Sequence, residues 1–185
     1  WAGNEMKSSK GSAFERDICR RLSLWCSETK TDDLFWRTGG SGGRAKVRGR
    51  GGRRTTGQHG DITSTDASSQ PLIDLVTIEL KRGYGTKSIY DILDKSKKAA
   101  KQEWEKWFEQ VVESATQSGT PFWWLIHKRD KREPVIFFSA DFYSAVLKVR
   151  GKASVEDFPG WGCMKFRWYS SEYHQQETFG MQLEY

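Results

Sequence analysis

Leu72-Ile73-Asp74-Leu75-Val76-Thr77-Ile78-Glu79-Leu80-Lys81 carries the architecture of this chain. Its branched residues predict a β-strand. Side chains alternate between the faces of a strand, so Ile78 and Leu80 should enter a core while Glu79 and Lys81 share the other face. The strand is bounded by a turn over 66–71 and by Gly83 and Gly85.

Upstream, Asp61-Ile62-Thr63-Ser64 and Leu34-Phe35-Trp36 read as two short strands, and the three together predict an antiparallel meander. Before them, Phe14, Ile18, Leu22 and Trp25 recur at helical steps and predict a first helix over 12–27. Cys19 and Cys26 flank that stripe and read as small core residues rather than reactive thiols. Downstream, Ala100, Trp104, Trp107, Phe108, Val111 and Ala115 form the apolar stripe of a helical region over 88–118. Phe122-Trp123-Trp124-Leu125-Ile126 is an unbroken apolar run, as suits a strand buried on both faces. A charged turn, His127 to Glu133, leads to a strand over 135–138, and Ser139 can cap a helix running to Val149. A further strand is predicted over 164–169, in a tail that otherwise lacks a pattern. A strand, a long helix and a strand normally make a right-handed parallel crossover. The expected fold class is therefore α/β, a mixed central sheet flanked by helices.

A chain of 185 residues can bury a substantial core, and residues 6–185 are expected to form a single domain. Residues 1–5, ahead of Met6, read as a vector-derived remnant. The net charge of +6 favours polyanionic partners, nucleic acid first, although solubilising charge accounts for it equally well. Three cysteines make neither an even disulfide framework nor a C-x-x-C metal motif. That favours a reducing cytoplasm. No run approaches the ~20 apolar residues of a membrane span, and no charged-then-apolar leader opens the chain. No G-x-x-x-x-G-K-[ST] string points to a nucleotide cofactor, and no G-x-S-x-G elbow points to a serine hydrolase.

The chemistry is expected where Asp61, on the strand before, comes beside Glu79 and Lys81. Two close carboxylates raise each other's pKa unless a hard divalent cation neutralises them, which points to Mg²⁺, with Mn²⁺ as a substitute. The backbone carbonyl of Leu80 is available as a further oxygen ligand. Such a site suits phosphodiester hydrolysis, with Lys81 orienting or deprotonating the attacking water. A surface salt bridge on an edge strand is the competing reading, since Glu-x-Lys occurs three times in the chain. Glu15 is a fourth candidate, for a second ion, yet Ser12-Ala13-Phe14-Glu15 also matches a capping box.

As an ordered set, Lys10-Gly-x-x-Phe-Glu-Arg16, Arg37-Thr-Gly-Gly-Ser-Gly42, Gly60-Asp61-Ile62 and Ile78-Glu79-Leu80-Lys81 resemble the PD-(D/E)XK nuclease superfamily. The archaeal-type and phage Holliday-junction resolvases are the nearest branch in arrangement. The resemblance covers roughly residues 10 to 140 and implies a restriction-endonuclease-like αβββαβ core. It also implies a catalytic set of Glu15, Asp61, Glu79 and Lys81, with Ser41 near the scissile phosphate, and a homodimer acting on branched DNA in recombination or repair. Gly60 stands where the motif usually has Pro, and the insertion after Trp36 is longer than a resolvase needs. Some relatives carry a helical Gln facing the site; Gln102 falls opposite the apolar stripe and is not expected to serve.

That insertion, about 37–60, interleaves glycines with Arg37, Arg44, Lys46, Arg48, Arg50, Arg53 and Arg54 and has no acidic residue. Glycines let a backbone approach phosphates while guanidinium groups make forked contacts, so the loop reads as a DNA-binding segment, or else as a plain linker. His59 reads as a bystander more readily than as a ligand. Restriction or repair of linear DNA, or DNA binding without catalysis, are the alternative functions.

Overall fold

The computed structural model describes residues 10–38, 60–96, 98–150, 163–170 and 174–182. In chain order these form α1 (Lys10–Cys26), β1 (Phe35–Arg37), β2 (Ile62–Ser64), α2 (Gln70–Leu75), β3 (Val76–Arg82) and α3 (Tyr90–Leu93). There follow α4 (Glu103–Ser118), β4 (Phe122–Lys128), β5 (Val135–Ser139), α5 (Ala140–Arg150), β6 (Cys163–Ser170) and β7 (His174–Gln182).

A five-stranded sheet has the order β3-β4-β5-β7-β6, and a separate two-stranded ribbon pairs β1 with β2. β3 and β4 run parallel with Lys81 opposite His127, and all the remaining pairs are antiparallel. The expected mixed α/β sheet with helices on its faces is therefore present.

Two cores form because β3 and β4 are covered on both sides. Val76, Ile78 and Leu80 pack with Trp124 and Ile126 against Phe14 and Ile18 of α1. The opposite face sets Trp123 and Leu125 against Trp104, Trp107, Phe108 and Val111 of α4. Each such side chain contributes about 1.5–3 kcal/mol by leaving water. Trp104 lies edge-on to Phe137 and His127, with ring centroids 5.1 and 4.8 Å apart, an arrangement that aromatic quadrupoles favour.

Helix boundaries follow local chemistry. Gln102 caps α4 in a reciprocal capping box with Glu105, and Gly119, at φ +77°, ends it in the left-handed conformation. Gln102 thus serves the helix start. Ser139 Oγ accepts the Phe142 N–H at 3.2 Å, the cap expected for α5.

Several expectations are corrected. The segment expected as a turn and the start of a strand is helical over 70–75. Pro71 in its first turn is preorganised for helix, and Leu72 and Leu75 continue the apolar run into β3, which hides the boundary. The helical region expected over 88–118 is two helices, because α4 begins only at its capping box. β2 makes no ladder with β3 in the manner of a meander; backbone contact is made through Asp61 at the start of β2. Trp25 is 65% exposed and Cys26 is exposed, so neither is a core residue. Cys19 is buried, and burial pushes its thiol up to about 12, the state of an inert core cysteine. In the tail, β7 inserts between β5 and β6.

Candidate active site

Asp61 is held by its backbone on both sides. The Thr38 N–H donates to the Asp61 carbonyl at 2.9 Å, and the Asp61 N–H donates to the Ile78 carbonyl at 2.8 Å. Its side chain completes the clasp, because Oδ2 accepts the Leu80 N–H at 2.8 Å. Main-chain groups alternate sides along a strand as side chains alternate faces. Ile78 and Leu80 therefore turn their peptide groups toward Asp61, whereas the odd positions turn toward β4, as Gly83 does with its 3.0 Å bond to the Lys128 carbonyl. The Leu80 carbonyl consequently lies on the Asp61 side.

Gly60 makes this approach possible. Its φ is +77°, which Pro cannot adopt, and a Cβ there would sit 2.6 Å from the Ile78 carbonyl oxygen. This accounts for Gly in place of the motif Pro. Gly60→Ala should destabilise the protein by about 2–3 kcal/mol, since left-handed strain and a backbone clash act together. Urea denaturation measures it; a midpoint equal to wild type would mean that Asp61 is not clasped this way.

Glu79 is 3% exposed on the α4 face of β3. Its Oε1 accepts Ser114 Oγ–H at 3.3 Å, and its Oε2 accepts Gln110 Nε2–H at 2.9 Å. Lys81 Nζ donates to Gln110 Oε1 at 3.0 Å and lies 3.6 Å from Glu79 Oε2. Gln110 therefore bridges the carboxylate and the ammonium with the two ends of one amide. Such a buried network is a poor match for a solvated surface ion pair. Sequence reasoning passed over Gln110, although Trp107, Gln110 and Ser114 fall at helical steps of three and four, which was the available signal. On the phosphodiester hydrolysis that the resemblance implies, Gln110→Ala should lower the cleavage rate about 10- to 100-fold, as losses of orienting partners do, with little change in KM. Steady-state kinetics separate the two parameters; a loss confined to KM would assign Gln110 to binding instead.

Electrostatics identify the uncompensated group. The Asp61 carboxyl is pushed up to about 7, first by burial and next by the Glu79 charge, against the opposing Leu80 N–H and Lys81. Glu15 adds to the same upward push, so it is within electrostatic reach. α1 begins at Lys10, which places Ser12 within the helix and excludes the capping box in which Glu15 would close the helix start. Instead Glu15 Oε2 accepts Arg37 Nε–H at 2.5 Å. Ser23 ties these elements together, donating to the Cys19 carbonyl at 2.8 Å and accepting the Phe35 N–H at 3.1 Å.

The donor set suits a hard cation. Asp61, Glu79 and the Leu80 carbonyl offer oxygen only; His127 is buried, and burial holds it down to about 4, leaving it neutral and bonded to the Gly83 carbonyl at 3.3 Å. Among the described residues, no three His, Cys, Asp or Glu side chains gather into a complete cage. Mg²⁺ needs none, because it commonly takes one or two carboxylates and completes its shell with water and substrate phosphate. Ser41, Arg44, Lys46, Arg48, Arg50, Arg53, Arg54 and His59 lie outside the described residues. No helix among the described residues is long and apolar enough to cross a membrane.

A family model described as "Phage putative PDDEXK endonuclease" matches residues 6–158, a span that contains every side chain placed above. Neither the curated proteins nor the solved structures yield a match.

Proposed function

The chain belongs to the phage PDDEXK endonuclease family, and from that premise we propose that it is an Mg²⁺-dependent DNA endonuclease whose site is built from Asp61, Glu79 and Lys81. The observation that carries this reading is the half-buried Asp61 carboxyl within electrostatic reach of the Glu79 charge, beside a carbonyl edge and opposed by a single ammonium, Lys81, among the described residues. A bound divalent ion would relieve that charge and supply Lewis-acid stabilisation to a phosphodiester under attack.

Within this proposal Asp61, Glu79 and the Leu80 carbonyl hold the ion, Mn²⁺ serving as a substitute. Lys81, fixed by Gln110, orients the attacking water and manages its proton. Glu15 is held in reserve for a second ion, and Arg37, now paired with it, is positioned to exchange that carboxylate for a phosphate. Ser41 and the cations of the Arg/Gly segment complete the DNA contacts in this reading. Branched DNA is the favoured substrate, through the likeness to junction resolvases, and a two-fold junction would be matched by a homodimer carrying two such sites.

The test incubates the protein with a four-way junction beside a matched linear duplex, with Mg²⁺ and with EDTA. Cleavage in Mg²⁺ alone, faster on the junction, is the expected result. Equal cutting of both substrates would remove the branched-DNA preference, and no cutting in Mg²⁺ or Mn²⁺ would remove the nuclease.

A further inference from the structure

The turn between β4 and β5 reads Lys128-Arg129-Asp130-Lys131-Arg132, four cations and one acid in five residues. The acid is already engaged from outside the turn. Asp130 Oδ2 lies 3.0 Å from Lys10 Nζ of α1, and Oδ1 lies 3.2 Å from Arg82 of β3. The first bond fastens the turn to the start of α1 and the second to the strand end that carries Lys81, and together they leave the turn's own cations unneutralised. Among the described residues, none of Lys128, Arg129, Lys131 and Arg132 has an ion-pair partner. Arg129, Lys131 and Arg132 are exposed. The Lys128 carbonyl also accepts the Gly83 N–H at 3.0 Å, so turn and catalytic strand are joined by backbone as well as by side chains.

Register fixes the spacing. Lys81 stands opposite His127 and Arg82 opposite Lys128 in the parallel ladder. With strands ~4.8 Å apart and ~3.3 Å per residue, the Cα of Arg129 lies about 8 Å from that of Lys81. That is comparable to the through-space separation of neighbouring phosphates on one DNA strand, which exceeds their rise of about 3.4 Å along the helix axis. From these observations we infer that the 128–132 turn is a second DNA-backbone site, gripping phosphates on the β4 side of the scissile bond. The inference rests on the nuclease reading for its ligand, and it uses no residue of the 39–59 segment.

The test compares two variants that each remove three charges, Arg129→Gln/Lys131→Gln/Arg132→Gln in the turn and Arg20→Gln/Lys30→Gln/Lys148→Gln elsewhere on the surface. Affinity for a linear duplex is measured in EDTA as a function of NaCl, with circular dichroism and thermal melting to establish that both fold. The turn variant should lose at least about tenfold in affinity at 0.1 M salt, and its slope of log K against log salt should shrink by about two to three; the control should stay near wild type. Wild-type affinity and slope in the turn variant would overturn the inference and leave the turn to an acidic polypeptide. Equal losses in the two variants would overturn it in favour of net charge alone. Binding in EDTA needs no cutting, so a wild type that binds and never cleaves defeats the nuclease reading while leaving this one to stand or fall on the variants.

Discussion

Lys81→Ala is expected to lower the single-turnover cleavage rate by about a thousandfold, with DNA affinity held within about threefold. The ammonium is the only cation paired with Glu79 among the described residues, and the Gln110 amide fixes where it points. Its side chain is 16% exposed, so a bulk cation cannot readily take its place. Removing it leaves Glu79 buried beside Gln110 and Ser114 alone and, on the proposed mechanism, deletes the group that handles the proton of the attacking water. Lys81→Arg should not restore activity, because a planar guanidinium does not fit the single carbonyl acceptor of Gln110 as a compact ammonium does. Gel-based cleavage with protein in excess of DNA measures the rate; a loss under tenfold would exclude Lys81 from the chemistry.

Asp61→Asn should abolish cleavage and at the same time stabilise the metal-free protein. Asn keeps an oxygen for the Leu80 N–H and removes the charge that burial and Glu79 oppose. The sign follows from the raised pKa. Between the ordinary 3.8 and about 7, the folded state holds a proton that the unfolded state has lost. Stability is therefore fully present below about pH 4 and declines as pH rises through about 7. The neutral amide escapes this decline, so the melting temperature of the variant should exceed that of wild type by about 5 °C at pH 8 and converge with it near pH 4. Mg²⁺ should narrow the gap at pH 8 by stabilising the wild type alone. Since the ion competes with the proton on Asp61, wild-type cleavage should rise with pH through about 7. A variant melting below wild type at pH 8 would mean that the Asp61 charge is compensated in the folded chain.

The sequence carried much of this because two periodicities were clean. The alternation of Ile78, Glu79, Leu80 and Lys81 gave both the strand and the face each side chain occupies, and the Trp104 to Ala115 stripe gave the helix that covers Glu79. Boundaries were less legible where apolar runs crossed them, as at Leu75 and Val76, where helix passes directly into strand. β7 has few apolar residues in its first half, 174–178, so its place between β5 and β6 left little trace in hydrophobic pattern. Gln110 was hidden for a different reason. A polar residue at the margin of an apolar stripe faces either solvent or a buried partner, and only the packing of α4 on β3 decides which. Gly60 shows the reverse: the residue was plain, whereas its reason, a backbone approach of 2.6 Å to any Cβ, is a tertiary fact.

The most direct measurement is electron paramagnetic resonance titration of Mn²⁺ into the protein bound to DNA. Wild type should take up at least one ion that Asp61→Asn and Glu79→Gln both lose, with DNA still bound. Undiminished Mn²⁺ uptake by both variants would place the ion elsewhere and contradict the assignment of these carboxylates.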